Sequence, residues 1–204
     1  EAILPYVFLD RHKNDFLKAK NIYLYLSWVS LFKGKPEVKK VTIEDGHLHL
    51  YTDACGYRNL NLVEQVDAQK GEGSTPVLTM RRTRLIMENE LLNAKHDIEV
   101  EYLHGDVTKQ DSTVLLDIDI RSLVHGIGFN LEKGSYLKEK TLQGNLLLTY
   151  FPHQKLELTK VNLNIQQHPY ILHGAFYLDQ DTMSYALGIY TKQILYKDAA
   201  SVLT

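Results

Sequence analysis

Thr113-Val114-Leu115-Leu116-Asp117-Ile118-Asp119-Ile120-Arg121 settles into strict alternation from Leu116 onward: Leu116, Ile118 and Ile120 fall on one side, Asp117 and Asp119 on the other. Successive side chains of a β-strand point to opposite faces, so this run is a strand with one apolar and one polar face. The same period recurs outward in both directions. Strands are expected at residues 77–88, 98–107, 142–150, 156–165, 171–178 and 184–191, and the run Ile3-Leu4-Pro5-Tyr6-Val7-Phe8-Leu9 is strand-like as well. In the clearest of the later strands, Val161, Leu163 and Ile165 alternate with Asn162, Asn164 and Gln166. Turn formers or breakers at Pro152-His153-Gln154, His168-Pro169 and Asp179-Gln180-Asp181 punctuate these strands. Near the start, Val41 and Ile43 alternate with Thr42 and Glu44, Asp45-Gly46 follows, and His47-Leu48-His49-Leu50 resumes the pattern. Asp-Gly favours the two-residue type I′ turn, so a hairpin is expected with its tip at Asp45-Gly46.

Helix is scarce. Ser27-Trp28-Val29-Ser30-Leu31-Phe32-Lys33-Gly34 has an N-cap serine and a glycine placed to end a short helix, and a second helix is expected to begin near Lys197. Residues 67–76, rich in Gly and Ser, read as a loop. So little helix leaves the apolar side of the sheet without a helical cover. The expected fold is therefore mainly β: one antiparallel domain over residues 1–204, curled into a half-open groove or a sandwich, with one or two short helices.

Composition removes several function classes. Hydrophobic residues make up 44% of the 204, the level of a globular chain. The net charge of −2, with both signs interspersed, argues against a nucleic-acid binder that works by neutralising phosphates. The run Arg81-Arg82-Thr83-Arg84 reads as a solvated strand edge whose members point to both faces. A single cysteine, Cys55, can build neither an internal disulfide nor a thiolate zinc site. The longest apolar stretch, residues 22–32, is about half of the ~20 residues that a spanning helix needs. A sequence that opens on Glu1 within a strand-like run, and stops at Thr204 as a helix starts, reads as an excised piece of a longer protein.

The stretch from Asn21 to Asn59 carries a recognisable order of motifs. Ile22-Tyr23-Leu24 is followed by Leu31-Phe32-Lys33-Gly34-Lys35-Pro36, then Val41-Thr42-Ile43-Glu44-Asp45-Gly46, then Leu48-His49-Leu50-Tyr51-Thr52-Asp53, Gly56 and Asn59. This resembles the amino-terminal region of AsmA-like proteins of the Gram-negative envelope, and Leu142-Gln143-Gly144-Asn145 and Ile194-Leu195-Tyr196 resemble later segments of that family. The resemblance implies an apolar β-groove related to bridge-like lipid-transfer proteins, held in the periplasm by a membrane anchor that lies outside this sequence. It also implies a part in phospholipid transport and outer-membrane biogenesis, with no catalytic residues to carry over.

Individual clusters read as structural. His47 and His49 share a strand face and have metal-ligand spacing, but they read as the polar side of the hairpin. Asp117 and Asp119 read as a solvated outer face rather than an acid–base pair, and Cys55 as an incidental cysteine in a turn. Gly126-Ile127-Gly128 reads as a bulge or bend that curls the sheet, since no phosphate-binding fingerprint follows it. The expected protein is a non-enzymatic envelope module without metal or cofactor, and its expected partner is a phospholipid or another acyl-chain lipid. The candidate groove or core positions are Leu48, Leu50, Leu116, Ile118, Ile120, Leu146, Leu148, Leu156, Leu158, Val161, Leu163 and Ile165. Trp28, Leu31 and Phe32 are the candidate cap at the groove end. The alternative is a closed β-sandwich serving as an envelope spacer or protein-interaction domain.

Overall fold

The computed structural model describes residues 16–27, 37–59, 76–110, 112–152, 154–178 and 183–191. They form nine strands: β1 (Leu17–Leu26), β2 (Val38–Thr52), β3 (Val77–Asn89), β4 (Ala94–Gln110), β5 (Thr113–Gly128), β6 (Lys140–Phe151), β7 (Lys155–Ile165), β8 (His168–Leu178) and β9 (Met183–Tyr190). All nine lie in one sheet in sequence order, and β1 does not pair with β9, so the sheet is not closed into a barrel. Every neighbouring pair is antiparallel except β2 and β3, which run parallel. A parallel pair needs a crossover of a dozen or more residues, and residues 53–76 supply it. The only helical element among the described residues is the single 3-10 turn Leu131–Lys133. The two expected helices, at Ser27–Gly34 and after Lys197, fall almost wholly outside the described residues, as does most of the 67–76 loop.

The expected hairpin at Asp45-Gly46 is corrected. β2 runs straight through that pair, and both of its halves bond to the same two neighbours. A type I′ turn needs positive φ at both central residues. Here Asp45 alone has it, at 52°, and Gly46 is not among the positive-φ glycines. One left-handed residue makes a bulge rather than a reversal. The extra residue carries the apolar side from Val41 and Ile43 over to Leu48 and Leu50. Another correction concerns His168-Pro169: this expected connector is the first part of β8, paired with Ile165 and Asn164. The run Gly126-Ile127-Gly128, expected to mark a bulge or bend, ends β5 directly after a bulge at His125.

The Asp45 bulge belongs to a line across the sheet. Lys20, Asp45, Arg82 and Glu101 occupy one rung of β1 to β4, and each is skipped in the pairing while the residues on either side stay in register. Arg82 shares the left-handed conformation of Asp45, with φ at 47°. In each of the four strands the apolar residues change parity at that rung, for example from Leu78 and Met80 to Leu85 in β3 and from Ile98 and Val100 to Leu103 in β4. On the inner side the next rung carries Ala19, Gly46, Thr83, Val100 and Ser122, side chains small enough to let the sheet crease there. A Cβ at Gly46 would stand 3.1 Å from both Ile43 and the Lys18 carbonyl, so the crease is already tightly packed. On the outer side the rung alternates in sign, and Arg82 clasps Asp45 through Nε at 2.6 Å and a second nitrogen at 3.2 Å. The crease also corrects the reading of the arginine run. Arg81, Arg82 and Arg84 all pair on the polar face, with Glu44, Asp45 and Asp97, and only Thr83 turns inward and is fully buried.

Twist and curl then bring distant strands together. Phe129, just past β5, has its ring centroid 5.4 Å from His96 of β4, 6.0 Å from Phe176 of β8 and 5.7 Å from Tyr185 of β9. In a flat sheet β4 and β9 would lie five strand spacings, about 24 Å, apart. His96 stands at the start of β4, whereas Phe176 and Tyr185 stand towards the opposite end of their strands. The sheet therefore folds diagonally onto its apolar face, as an accumulated twist of about 20–25° per strand allows. A bulge of Thr159 and Lys160 opposite His173 helps β7 to bend, and Gly174 beside it takes φ 137°, a conformation few side chains tolerate. Replacing Phe129 with Ala removes the ring that joins the corners and is expected to lower unfolding stability by about 2–3 kcal/mol. Urea denaturation followed by circular dichroism checks this, and a loss below about 0.5 kcal/mol would contradict the corner contact.

Candidate functional site

The apolar face is built from rungs that cross the sheet. The longest runs Leu24, Val41, Leu78, Gly105, Ile118, Leu146, Val161, Leu172, Ile189, one residue from each of the nine strands. A neighbouring rung reads Ile22, Ile43, Met80, Leu103, Ile120, Gly144, Leu163, Tyr170 across β1 to β8. Strand pairing thus turns twelve scattered alternating positions into one continuous surface. All twelve expected groove or core residues lie on it. Leu48 and Leu50 join a cluster centred on Ile43, Met80 and Val100. The other ten join a cluster of Val124, Leu142, Leu148, Val161, Leu163, Ile165 and Tyr170 with their packed neighbours. The two clusters divide between β4 and β5, and the crease rung runs through the first of them, with Val100 belonging to both rung and cluster.

Burial grades along this face. Val100, Val124 and Val161 are sealed, at 0%, 1% and 1% exposure. Leu116, Ile118, Ile120, Leu146, Leu156 and Leu158 are only half-buried, although they point to the same side. The sealed residues are core, and the half-buried ones are accessible apolar lining. Both edges stay greasy: Leu24 on β1 is 49% exposed and Ile189 on β9 is 56% exposed. Trp28, Leu31 and Phe32, the expected cap, lie outside the described residues. Sequence reasoning missed Leu78, Met80, Val100, Leu103, Tyr170 and Leu172 as members of the face, and Phe129 as its corner. The parity change at the crease hid the first four, because no single period runs through β3 or β4.

The motif residues between β2 and the crossover have a visible job. Asp53 is buried, and its Oδ1 accepts the backbone N–H groups of Cys55 and Tyr57, both at 2.8 Å. Gly56 takes φ 82°. Asn59 is fully buried: its Oδ1 accepts from the Tyr51 N–H at 2.9 Å and its Nδ2 donates to the His49 carbonyl at 2.7 Å. The side-chain amide thereby stands in for a strand neighbour along the end of β2, where an unmatched backbone group would cost about 1–3 kcal/mol. Cys55 is exposed on the tip of this loop.

His47 and His49 stack at 6.3 Å between ring centroids, and burial, then the neighbouring His49, pushes the His47 pKa down. Among the described residues no three of His, Cys, Asp and Glu gather closely enough to hold a metal ion. Asp117 and Asp119 are exposed, and Asn145 Nδ2 donates to both, at 2.8 and 3.3 Å. No helix of the described residues is long and apolar enough to cross a membrane.

His125 is held between two carboxylates. It is the extra residue of a bulge in β5, since Asp97 and Ile98 of β4 pair with Gly126 and Val124 on either side of it. Its Nδ1 meets Glu139 at 2.9 Å and its Nε2 meets Glu99 at 3.4 Å. The hydrogen bond that its Nδ1–H donates to Glu139 is the main cause that raises its pKa above the ordinary 6.5, and the Glu139 charge, a bond to Glu99 and the Asp97 charge act in the same direction. The clasp ties down the segment from Phe129 to Glu139, in which Leu131 and Ser135 close over the side-chain-free spaces at Gly128 and Gly126.

No protein-family model, curated protein or solved structure matches the chain.

A raised folded-state pKa stabilises the fold fully below the unfolded value of 6.5, and the contribution is lost as pH rises through the folded value. Wild type is therefore expected to lose more stability than His125→Gln when pH is raised from slightly acid to mildly alkaline. Burial lowers the pKa of His47 and His96, which gives the opposite slope in both proteins and cancels in the comparison. Urea midpoints across that range check this; parallel curves would contradict the clasp.

Proposed function

We propose that this chain is a non-enzymatic lipid-handling module that receives acyl chains along the apolar face of its curled sheet. The observation that carries the reading is the row of half-buried Leu and Ile side chains from Leu116 to Leu158, on a face with no helical layer over it among the described residues. Such a face holds a hydrocarbon chain without any single specific group, because each CH₂ removed from water contributes about 0.8 kcal/mol. Greasy side chains at both edges, on β1 and β9, make the surface continuous from one side of the sheet to the other. The AsmA-like motif order supports the same reading. Asp53, Gly56 and Asn59, three of its quoted residues, form the loop that finishes β2, anchored by the buried side chains of Asp53 and Asn59. The proposal places the protein in the periplasm, attached to a membrane by a segment beyond this sequence, with phospholipid as cargo.

A second reading, a spacer or protein-interaction domain of the envelope, draws on the fully sealed Val100, Val124 and Val161 and on the corner closed by Phe129. Lipid separates the two readings. Organic extraction of the purified protein followed by mass spectrometry is expected to release phospholipid, and a fluorescent fatty acid is expected to bind saturably. Ile118→Asp puts a charge in the middle of the face and is expected to weaken that binding at least about tenfold, with the β-sheet dichroism retained. No extractable lipid together with no saturable binding would leave the spacer.

A further inference from the structure

The polar side of the sheet carries a hollow of about 710 Å³, within the roughly 300–1,000 Å³ usual for ligand sites. Its origin lies in the β4–β5 pairing. Glu101 is an extra residue in β4 opposite Arg121 and Ser122, and His125 is an extra residue in β5 opposite Asp97 and Ile98. The two bulges frame a short stretch, residues 98–100 against 122–124, whose register is displaced by one residue. Paired bulges dish a sheet locally and re-aim the side chains beside them. The hollow opens over this stretch: its accessible wall is mostly apolar, Leu123 included, and Glu99, Glu101, Arg121, Gln143 and Asn164 add the polar groups, with Arg82 of the crease beside them. A second hollow of about 410 Å³ shares Arg121 and Gln143 with the first and adds Tyr102, Asp119 and Asn145.

The charges are balanced inside the site. Arg121 meets Glu101 at 3.3 Å, Arg82 is held by Asp45 and Glu44, and Glu99 meets His125 at 3.4 Å. An anion would gain little where every guanidinium already has a carboxylate. The guanidinium fork and the amides still have donors to spare, and the carboxylates still have lone pairs. That set suits a ligand whose every group both donates and accepts, which is the chemistry of sugar hydroxyls. Tyr102, 37% exposed, adds an aromatic face against which a pyranose ring can lie.

We infer that the outer face of β4 to β7 is a saccharide-binding site, with Arg121 and Gln143 as the shared hydrogen-bonding centre and Tyr102 as the stacking platform. The site is independent of the apolar face, since the two occupy opposite sides of the same strands. The test is saturation-transfer NMR on the whole chain with cello-, chito- and malto-oligosaccharides at millimolar concentration. At least one of them is expected to take up saturation. Tyr102→Ala and Gln143→Ala, which alter exposed side chains and are expected to leave the melting temperature unchanged, should each weaken that binding about tenfold. Transfer to none of the sugars would overturn the inference. So would binding that neither variant weakens, or binding displaced by inorganic phosphate at constant ionic strength.

Discussion

A β-strand has two faces, and a single inserted residue exchanges them. In this molecule that constraint acts on four strands at once. Lys20, Asp45, Arg82 and Glu101 are inserted on the same rung of β1 to β4, so the exchange happens along a line instead of scrambling the sheet. The outcome is one apolar side on both halves of the crease, with small residues inside the fold line and alternating charges outside it. The parallel pairing of β2 and β3 depends on this matching, because the two strands stay in register on both sides of the rung only if each carries the extra residue. Exposed ion pairs such as Arg82 with Asp45 contribute little stability one by one. Their geometry still fixes where the crease runs.

From the crease follow the two different surfaces. On the inner side, curl and twist converge the rungs into sealed valines near Val100 and Val124 and leave half-buried lining around Ile118 and Leu146. On the outer side, the end of the crease at Glu101 and the compensating bulge at His125 dish the sheet into a hollow that carries both apolar and polar groups. One set of insertions thus shapes an apolar face and a concave outer face behind it. The two proposals concern opposite faces of the same strands and are compatible in one molecule.

Much of this was legible in the sequence where the period holds. From Leu116 to Ile120 and from Val161 to Ile165 the alternation is unbroken, and the structure places those residues on the apolar side. Scarcity of helix was legible too, and with it the open character of the sheet. Reading failed where one residue changed the parity. Asp45-Gly46 offers the same local chemistry to a turn and to a bulge, and only the parallel neighbour β3, beyond a crossover, decides between them. His168-Pro169 looked like a breaker, yet a proline near the start of a strand is tolerated where its missing N–H faces no partner. Phe129 gave no signal, because its partners on β8 and β9 lie some fifty residues away and meet it only once the whole sheet has twisted.

One side of this single sheet is apolar from edge to edge and incompletely roofed. Relaxation of methyl protons by a soluble gadolinium chelate, measured on delipidated protein, reads that side directly. Clear enhancement is expected at Ile118, Leu146 and Leu156, with protection at Val100 and Val124. Protection of Ile118 and Leu146 equal to that of Val100 would mean that the face is sealed.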